Sequence, residues 1–437
     1  MVGTMLNLAL NAIGAEFNCS AHDLGWVSSI YFIVSVMALV PTAKLSDIYG
    51  KKKMFMTGIV IATVGLIFCS TAQNIYSLYV FRGVCGVGMA MISGTSVSMI
   101  SDVYPKEERG AALGVNTASV YLGAALGPSM GGFITDLIGW RWIFVVIVPL
   151  MLVGFFAIMR FPYNIKNSPG QKYDMKGAIV YVIGIGLMMF GLISLPEIYA
   201  MVMMFIGGLF IMAFIFIETH EEFPLMQMKL FRNSRFSRSL LALFLNYASS
   251  YCTTFFLSLY LQNMGAMTAT QAGLVLMAQP VMQVIFTLLA GKLSDRIDKR
   301  ILPTLGMLIT AVSLFMLLTV GITLNLLPLM IAALIVGGIG YGVFSAPNTS
   351  ATMSYVQPYE YNQASAMIAT MRQIGMMLSM GVATCLISIH LGSTAALEPS
   401  NYPQFMEVMK TAWIMCISFS LVGAVISWFR GKSTAGE

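Results

Sequence analysis

Long apolar segments recur from one end of the 437-residue chain to the other, and they constrain its fold more than any other feature. Each is about 20 residues long, enough for an α-helix to cross the roughly 30 Å hydrocarbon core of a bilayer. Only 10% of the residues are charged, against roughly 25% in an ordinary soluble domain. A membrane β-barrel would need short segments of alternating polarity, and the sequence has none. An all-α polytopic membrane protein is therefore predicted.

We predict fourteen membrane spans, grouped six, two and six. The first would be short, because 15 residues at about 1.5 Å each do not cover the hydrocarbon core. The predicted spans are 1–15, 25–46, 54–72, 77–101, 110–134, 141–160, 176–195, 198–217, 238–261, 270–291, 301–322, 325–347, 362–390 and 409–429. The grouping predicts an N-terminal six-helix bundle (1–165), two linker transmembrane helices with a cytoplasmic loop (166–235) and a C-terminal six-helix bundle (236–437).

The basic residues give an expected orientation. If the lysines at 51–53 lie in the cytoplasm, counting spans places both chain termini there as well. Of the 24 Lys and Arg residues, Arg82 and Arg372 then fall inside spans, and only Arg141 and Lys410 fall outside the cell. This asymmetry follows the positive-inside rule. We expect a multi-pass protein of the cytoplasmic (plasma) membrane, whose net charge of +6 requires no nucleic-acid partner.

A charged ten-residue string occurs twice, as AKLSDIYGKK at 43–52 and GKLSDRIDKR at 291–300. The two copies are 248 positions apart, and after a four-residue slip the match continues at 252, where VCGVG (84–88) aligns with VGGIG (336–340). The six-span block is therefore repeated. Such a repeat is typical of transporters whose two halves rock around a central cavity.

Other kinds of chemistry lack the residues that would support them. The sequence contains no Gly-rich phosphate loop, catalytic triad or paired carboxylates, so we expect neither ATP-driven transport nor an enzyme. Its six cysteines and three histidines lack metal-ligand spacing, and we expect no metal ion and no cofactor. None of the 18 Asp and Glu residues lies centrally in a predicted span, although proton exchange usually needs a buried carboxylate.

Two motifs resemble those of a known family. The charged strings resemble the loop pattern G-x-L-a-D-r-x-G-r-k of the major facilitator superfamily, and YLGAALGPSMGG (121–132) resembles its antiporter motif g-x-x-x-G-P-x-x-G-G. The loop residues are Asp47, Gly50, Lys51, Lys52, Gly291, Asp295 and Arg296, and the antiporter motif residues are Gly123, Gly127, Pro128, Gly131 and Gly132. With the middle pair of spans, the resemblance points to the fourteen-span drug:proton antiporter branch, of the EmrB/QacA type. It implies that the loops latch the halves in one state.

The resemblance also suggests roles for the arginines inside spans. Arg82 matches the span-4 motif l-x-x-x-R-x-x-q-G, which the family links to proton transfer, although Cys85 replaces the usual Gln. Arg372 and Gln373 resemble an R-Q-x-G string, to which we assign gating or packing. The alternative is that backbone carbonyls satisfy Arg82, which then has no role in transport.

Polar residues on otherwise apolar spans are the candidates for a central cavity. These are Asn7, Asn116, Tyr121, Asn246, Tyr251, Gln279, Gln283 and Asn348. The 36 Met and 27 Phe residues suit an adaptable pocket for apolar cations or drugs, although most such side chains face lipid or the core.

The expected function is export of amphipathic drugs or similar small molecules across the cytoplasmic membrane, in exchange for protons, by alternating access. Two alternatives stay open. One is a facilitator or exporter of an endogenous metabolite without proton coupling, and the other is a non-transporting receptor on a transporter scaffold. We expect a monomer whose partners are a small-molecule substrate, protons and the lipid bilayer.

The first span bears on the coupling acid. In the family pattern D-x-T-I-V-N-V-A-L-P, Thr4 and Asn7 match, and Val2 stands where the Asp would be. One expectation is that the native chain has residues upstream of Met1 that complete span 1 and include the acid. The competing expectation is a native start, with coupling through Arg82 and a span-end acid such as Asp136, or no coupling at all.

Overall fold

The computed structural model describes residues 2–19, 21–294, 296–319, 327–392 and 399–431. Every regular element among these residues is helical, so the predicted all-α class is confirmed. The described helices are α1 (Val2–Phe17), α2 (Ala21–Tyr49), α3 (Lys51–Ser70), α4 (Ile75–Val103), α5 (Lys106–Ile138), α6 (Trp142–Met159), α7 (Met175–Ile193), α8 (Ile198–His220), α9 (Ser234–Ala248), α10 (Tyr251–Leu259), α11 (Ala269–Leu276), α12 (Ala278–Ser294), α13 (Ile301–Thr319), α14 (Leu327–Ser354), α15 (Tyr361–Leu391) and α16 (Tyr402–Trp428).

The count of fourteen spans is not confirmed. Among the described residues, 12 helical stretches are long and apolar enough to cross a membrane. The predicted span 1–15 corresponds to α1, whose 16 residues are too few. The predicted span 110–134 lies in α5, which has 33 residues but whose glycines, Asn116 and Pro128 lower its mean hydropathy. Both helices still pack inside the bundle, because Gly131 of α5 lies against the backbone of Met5 in α1.

Two predicted spans are interrupted helices. The span 238–261 divides at Ser249 and Ser250 into α9 and α10, and a π-helical turn, Tyr260–Met264, follows α10. The span 270–291 divides at Met277, three residues before Pro280, which has no backbone N–H to continue the hydrogen bonding of the preceding turn.

Buried apolar side chains form several clusters that follow the order of the chain. One cluster joins α1, α2, α3, α4, α5 and α6, and another joins α10 to α16. The linker pair α7 and α8 packs mainly against α2, where the Tyr181 hydroxyl donates to the Val36 carbonyl over 3.1 Å. The linker helices therefore lie on one side of the N-terminal bundle.

The internal repeat is visible in how the helices cross. A Cβ on Gly88 would lie 2.7 Å from the Gly58 carbonyl oxygen, where α3 crosses α4. A Cβ on Gly340 would lie 2.8 Å from the Gly306 carbonyl oxygen, where α13 crosses α14. These are the residues that the 248- and 252-position offsets pair. Each half therefore uses the same glycine contact at the same crossing.

We expect Gly88→Ala and Gly340→Ala each to destabilise the protein by about 1–3 kcal/mol, because the added methyl group would collide with a backbone that has little room to move. The measurement is the unfolding midpoint of the purified protein in detergent. Gly208→Ala is the matched control, since no atom lies within 4 Å of its Cβ position. Equal midpoints for all three variants would show that these crossings tolerate a side chain.

Candidate functional site

A cavity of about 300 Å³ opens between the two halves at one end of the bundle. We call this end the cavity face; the opposite end, which carries Lys51 and Lys52, is the basic face. The lining comes from α1, α2, α10, α15, α16 and the connection between α7 and α8. Both halves and the linker pair therefore contribute to one space.

The lining is mostly apolar, with a few polar groups. Trp26, Phe255 and Phe405 supply aromatic surface, and Ser29 and Gln262 are among the polar residues. Such a lining is typical of sites for small organic molecules. Glu197, an exposed residue at the start of α8, is the charged residue among the described residues that line the cavity.

Arg82 belongs to a buried layer built from α2, α4 and α10. Its Nε donates to the Val27 carbonyl over 3.1 Å, and its guanidinium lies 4.7 Å from the centroid of the Tyr31 ring. Tyr251 is within electrostatic range of both Arg82 and Tyr31. The side chain of Arg82 is only 1% exposed, so protein groups replace the water that a guanidinium normally holds.

The second intramembrane arginine is near the same layer. Arg372 lies within electrostatic range of Tyr31 and Tyr121, and the Tyr121 hydroxyl is 3.3 Å from the Tyr247 hydroxyl across the two halves. The neighbouring Gln373 donates to the Ser35 hydroxyl over 3.1 Å, which links α15 to α2. The predicted pair of Arg372 and Gln373 is thus at the junction between the halves.

Contacts between α2, α4 and α15 close the basic face. Leu39, Ala90 and Ala369 form a buried apolar layer, one from each helix. Nearer the basic face, the fully buried Asn362 amide donates to the Ala43 carbonyl and, over 3.2 Å, to the Ser46 hydroxyl. A short polar and apolar seal therefore separates the cavity from this end.

The first charged string packs tightly at the basic face. Gly50 has a φ of 107°, in the region that favours glycine, and joins α2 to α3. Lys51 forms an ion pair with Asp102 of α4, and Lys52 donates to two backbone carbonyls that follow α6. Asp47 is 1% exposed, and its backbone carbonyl accepts from Ser168.

The second string keeps part of this arrangement. Lys299 donates to the Ser354 hydroxyl over 3.0 Å, and the repeat pairs these two residues with Lys51 and Asp102. Gly291 lies at the crossing of α5 and α12, with its Cα 3.5 Å from the Cβ position of Gly114. Arg296 is exposed, and Asp295 lies outside the described residues. The repeat pairs Gly291 with Ala43, so each string begins where one half crosses the other.

The antiporter motif forms much of the buried face of α5. Gly127, Pro128, Gly131 and Gly132 are buried and Gly123 is half-buried, in a helix that continues through Pro128 without interruption. A Cβ on Gly273 would lie 3.0 Å from the Pro128 carbonyl, which brings α5 of the N-terminal half against α11.

The predicted cavity residues are dispersed. Asn7 lines the cavity, and Asn116 lines a separate hollow of about 560 Å³ between α4 and α5. The other six are not among the described lining residues: Tyr121, Asn246, Tyr251, Gln279, Gln283 and Asn348. Asn348 instead accepts from Arg430 over 2.6 Å. A role for these six in substrate binding stays a prediction.

Sequence reasoning missed several residues. Serines and threonines near the ends of α2 and α15, including Ser29 and Thr384, line the cavity. Asn362, which links the two halves, also escaped notice, because it comes just before a predicted span begins. A polar residue at the start of a long small-residue helix is a signal that could have identified it.

Comparison with known proteins identifies the family. The sequence profile described as Major Facilitator Superfamily matches residues 1–230 and 239–436. The riboflavin transporter RibZ of Clostridioides difficile (strain 630) is 24% identical over 99% of this chain and 94% of its own length. Multidrug resistance protein 3 of Bacillus subtilis (strain 168) is 29% identical over 87% of this chain and 75% of its own length.

A solved structure has the same overall fold. The human organic anion transporter MFSD10 (TETRAN) superimposes with a TM-score of 0.60 at 13% identity, covering 96% of this chain and 97% of that one. The all-helical architecture, its multi-pass apolar helices and the matched profile agree. The chain is a membrane transporter and not an enzyme, and it belongs to the major facilitator superfamily.

Proposed function

We propose that this chain exports amphipathic small molecules across the cytoplasmic membrane by alternating access. The observation that carries the proposal is the asymmetric closure between the halves: a mostly apolar cavity is open at one end, and a buried seal closes the other. Relatives named as multidrug resistance proteins and a lincomycin resistance protein support export of drug-like compounds.

The proposal includes the fourteen-span, EmrB/QacA-type branch. In it, α1 and α5 complete the two six-helix bundles, and α7 and α8 are the inserted pair. The basic face lies in the cytoplasm, as do both termini, because positive residues are retained on that side. The described state is then outward-facing, with the cavity open to the exterior.

The cycle needs the seal to break and the cavity to close. Opening the cytoplasmic side would separate Asn362 from Ala43 and Gln373 from Ser35, at a net cost of about 1 kcal/mol per hydrogen bond. Small residues of α5 would slide along α11 and α12, since few side chains interlock there. Arg82 would hold α2 and α4 together in both states. Proton exchange is part of the proposal, although no acid in the described residues lies beside Arg82.

A second candidate substrate is an endogenous metabolite, taken without proton coupling. It is favoured by the relative named a riboflavin transporter, which matches nearly the whole of this chain. Riboflavin is a planar aromatic molecule with polar edges, and the cavity offers aromatic rings beside Ser, Asn and Gln side chains.

Transport by the reconstituted full chain distinguishes these candidates. We expect vesicles to move lipophilic cations, with a rate that rises several-fold under an imposed pH gradient and falls when a protonophore is added. Riboflavin without cations, at a rate independent of pH, would favour the metabolite. No movement of either class would contradict the proposal, provided that the protein is folded and correctly inserted.

Arg82→Lys should retain the charge but lose the Nε donor to Val27 and the flat contact with Tyr31, and we expect at least a tenfold loss of transport. Membrane abundance and unfolding midpoint should stay near those of the wild type. Arg160→Lys, at an exposed position after α6, is the matched control. Full activity in Arg82→Lys would remove the planar contacts from the mechanism.

A further inference from the structure

Two buried carboxyl groups face each other where the linker pair reaches the basic face. Asp174 caps the start of α7 by accepting from the Gly177 amide over 2.9 Å, and Glu218 lies in the last turn of α8. The side chains are 8% and 3% exposed. A Cβ on Gly177 would lie 2.1 Å from Asp174 Oδ2 and 2.7 Å from Glu218 Oε1, so both oxygens approach the same point.

These two oxygens are the ones without hydrogen-bond partners. Within the described residues, Asp174 Oδ2 and Glu218 Oε1 are buried and accept no hydrogen bond. The second oxygen of Glu218 accepts from the Met226 amide over 2.9 Å. Two ionised carboxylates so placed would repel each other and would both lack solvation.

The surrounding charges do not neutralise the pair. Lys44 of α2 is within electrostatic range of Glu218, but it also faces Asp47, and its ammonium donates to Gln171 over 2.9 Å. Tyr173 faces both acids and is neutral at physiological pH. No third His, Cys, Asp or Glu joins the two acids to form a metal-binding group among the described residues. The site therefore retains an excess negative charge with no visible counterion.

We propose that Asp174 and Glu218 form a proton-binding carboxyl pair, in which one acid is protonated and the other ionised while the basic face is closed. The proton removes the repulsion between the facing oxygens and gives one of them a donor. It needs no cavity, unlike a hydrated metal ion. The inference is independent of what the protein transports, since it concerns only the linker pair and the closed basic face.

The pair is connected to the seal through one loop. Glu218 holds the Met226 amide, and the next amide, that of Gln227, donates to Gln363 Oε1 over 3.1 Å. Gln363 follows Asn362, whose amide bonds to α2 across the halves. Loss of the proton would put two charges into a buried space and favour opening of the basic face, where water could reach them.

Infrared difference spectroscopy on the full chain in lipid nanodiscs tests the proton directly. On changing from mildly acidic to mildly alkaline buffer, we expect the wild type to lose the C=O band of one protonated carboxylic acid. Asp174→Asn and Glu218→Gln should each abolish this loss, because either change removes the like charge that keeps its neighbour protonated. Glu221→Gln, an exposed acid directly after α8, is the matched control and should retain it.

Two further arms keep the result decisive. Gly177→Ala retains both acids, but its methyl group would push the two oxygens apart, so the band should disappear at a more acidic pH than in the wild type. Absence of the band change in the wild type, or its persistence in both neutral variants, would overturn the proposal. If Mg²⁺ or Ca²⁺ at constant pH removes the band, the site is a cation site and the proton assignment is wrong.

Discussion

Close approach of helix backbones at glycine and alanine is the constraint on which the rest of this structure depends. In a bilayer the lipid is as apolar as the side chains, so helices associate through packing and a few polar contacts. Gly58 with Gly88, and Gly306 with Gly340, give each half one rigid crossing. The crossings between the halves use small residues in a different way, because Gly114 and Gly291 meet with little interdigitation.

This difference separates contacts that stay from contacts that must change. Within each half, a glycine backbone lies against a backbone, and opening it would leave a void. Between the halves, the basic face is closed by Asn362, by the thin layer around Leu39 and by the bond from Gln373. Each such polar contact contributes only about 1 kcal/mol net, so the seal can break without unfolding either bundle.

Much of the framework is predictable from the sequence, since it depends on local pattern and on the repeat. The charged strings, the glycine face of α5 and the burial of Arg82 follow from spacing alone. The residues around the cavity do not, because which polar side chains face it depends on the conformational state: Tyr121 and Tyr251 lie in the closed layer here. The breaks before α10 and α12 arise from tertiary packing and from Pro280. The fourteen-span count failed for α1 and α5, whose placement depends on neighbours more than on their own hydropathy.

Sequence reasoning also looked for the missing acid inside the spans of the two bundles. Asp174 and Glu218 are separated by 44 positions and lie at span ends, where carboxylates are usually solvated. Only the packing of α7 on α8, at the glycine between them, shows that both are buried and face each other. Proximity of this kind leaves no periodic signal in a single sequence.

Alternating access around the Asn362 seal is tested most directly by distances between spin labels at the two faces. One pair is Tyr49→Cys with Tyr359→Cys on the basic face, both 60% exposed, and the other is Glu197→Cys with Ile389→Cys on the cavity face. We expect two populations whose distances change in opposite senses, with Asn362→Ala enriching the one that is wide at the basic face and narrow at the cavity face. A single distance at both faces under all conditions, or distances that lengthen together, would contradict the account.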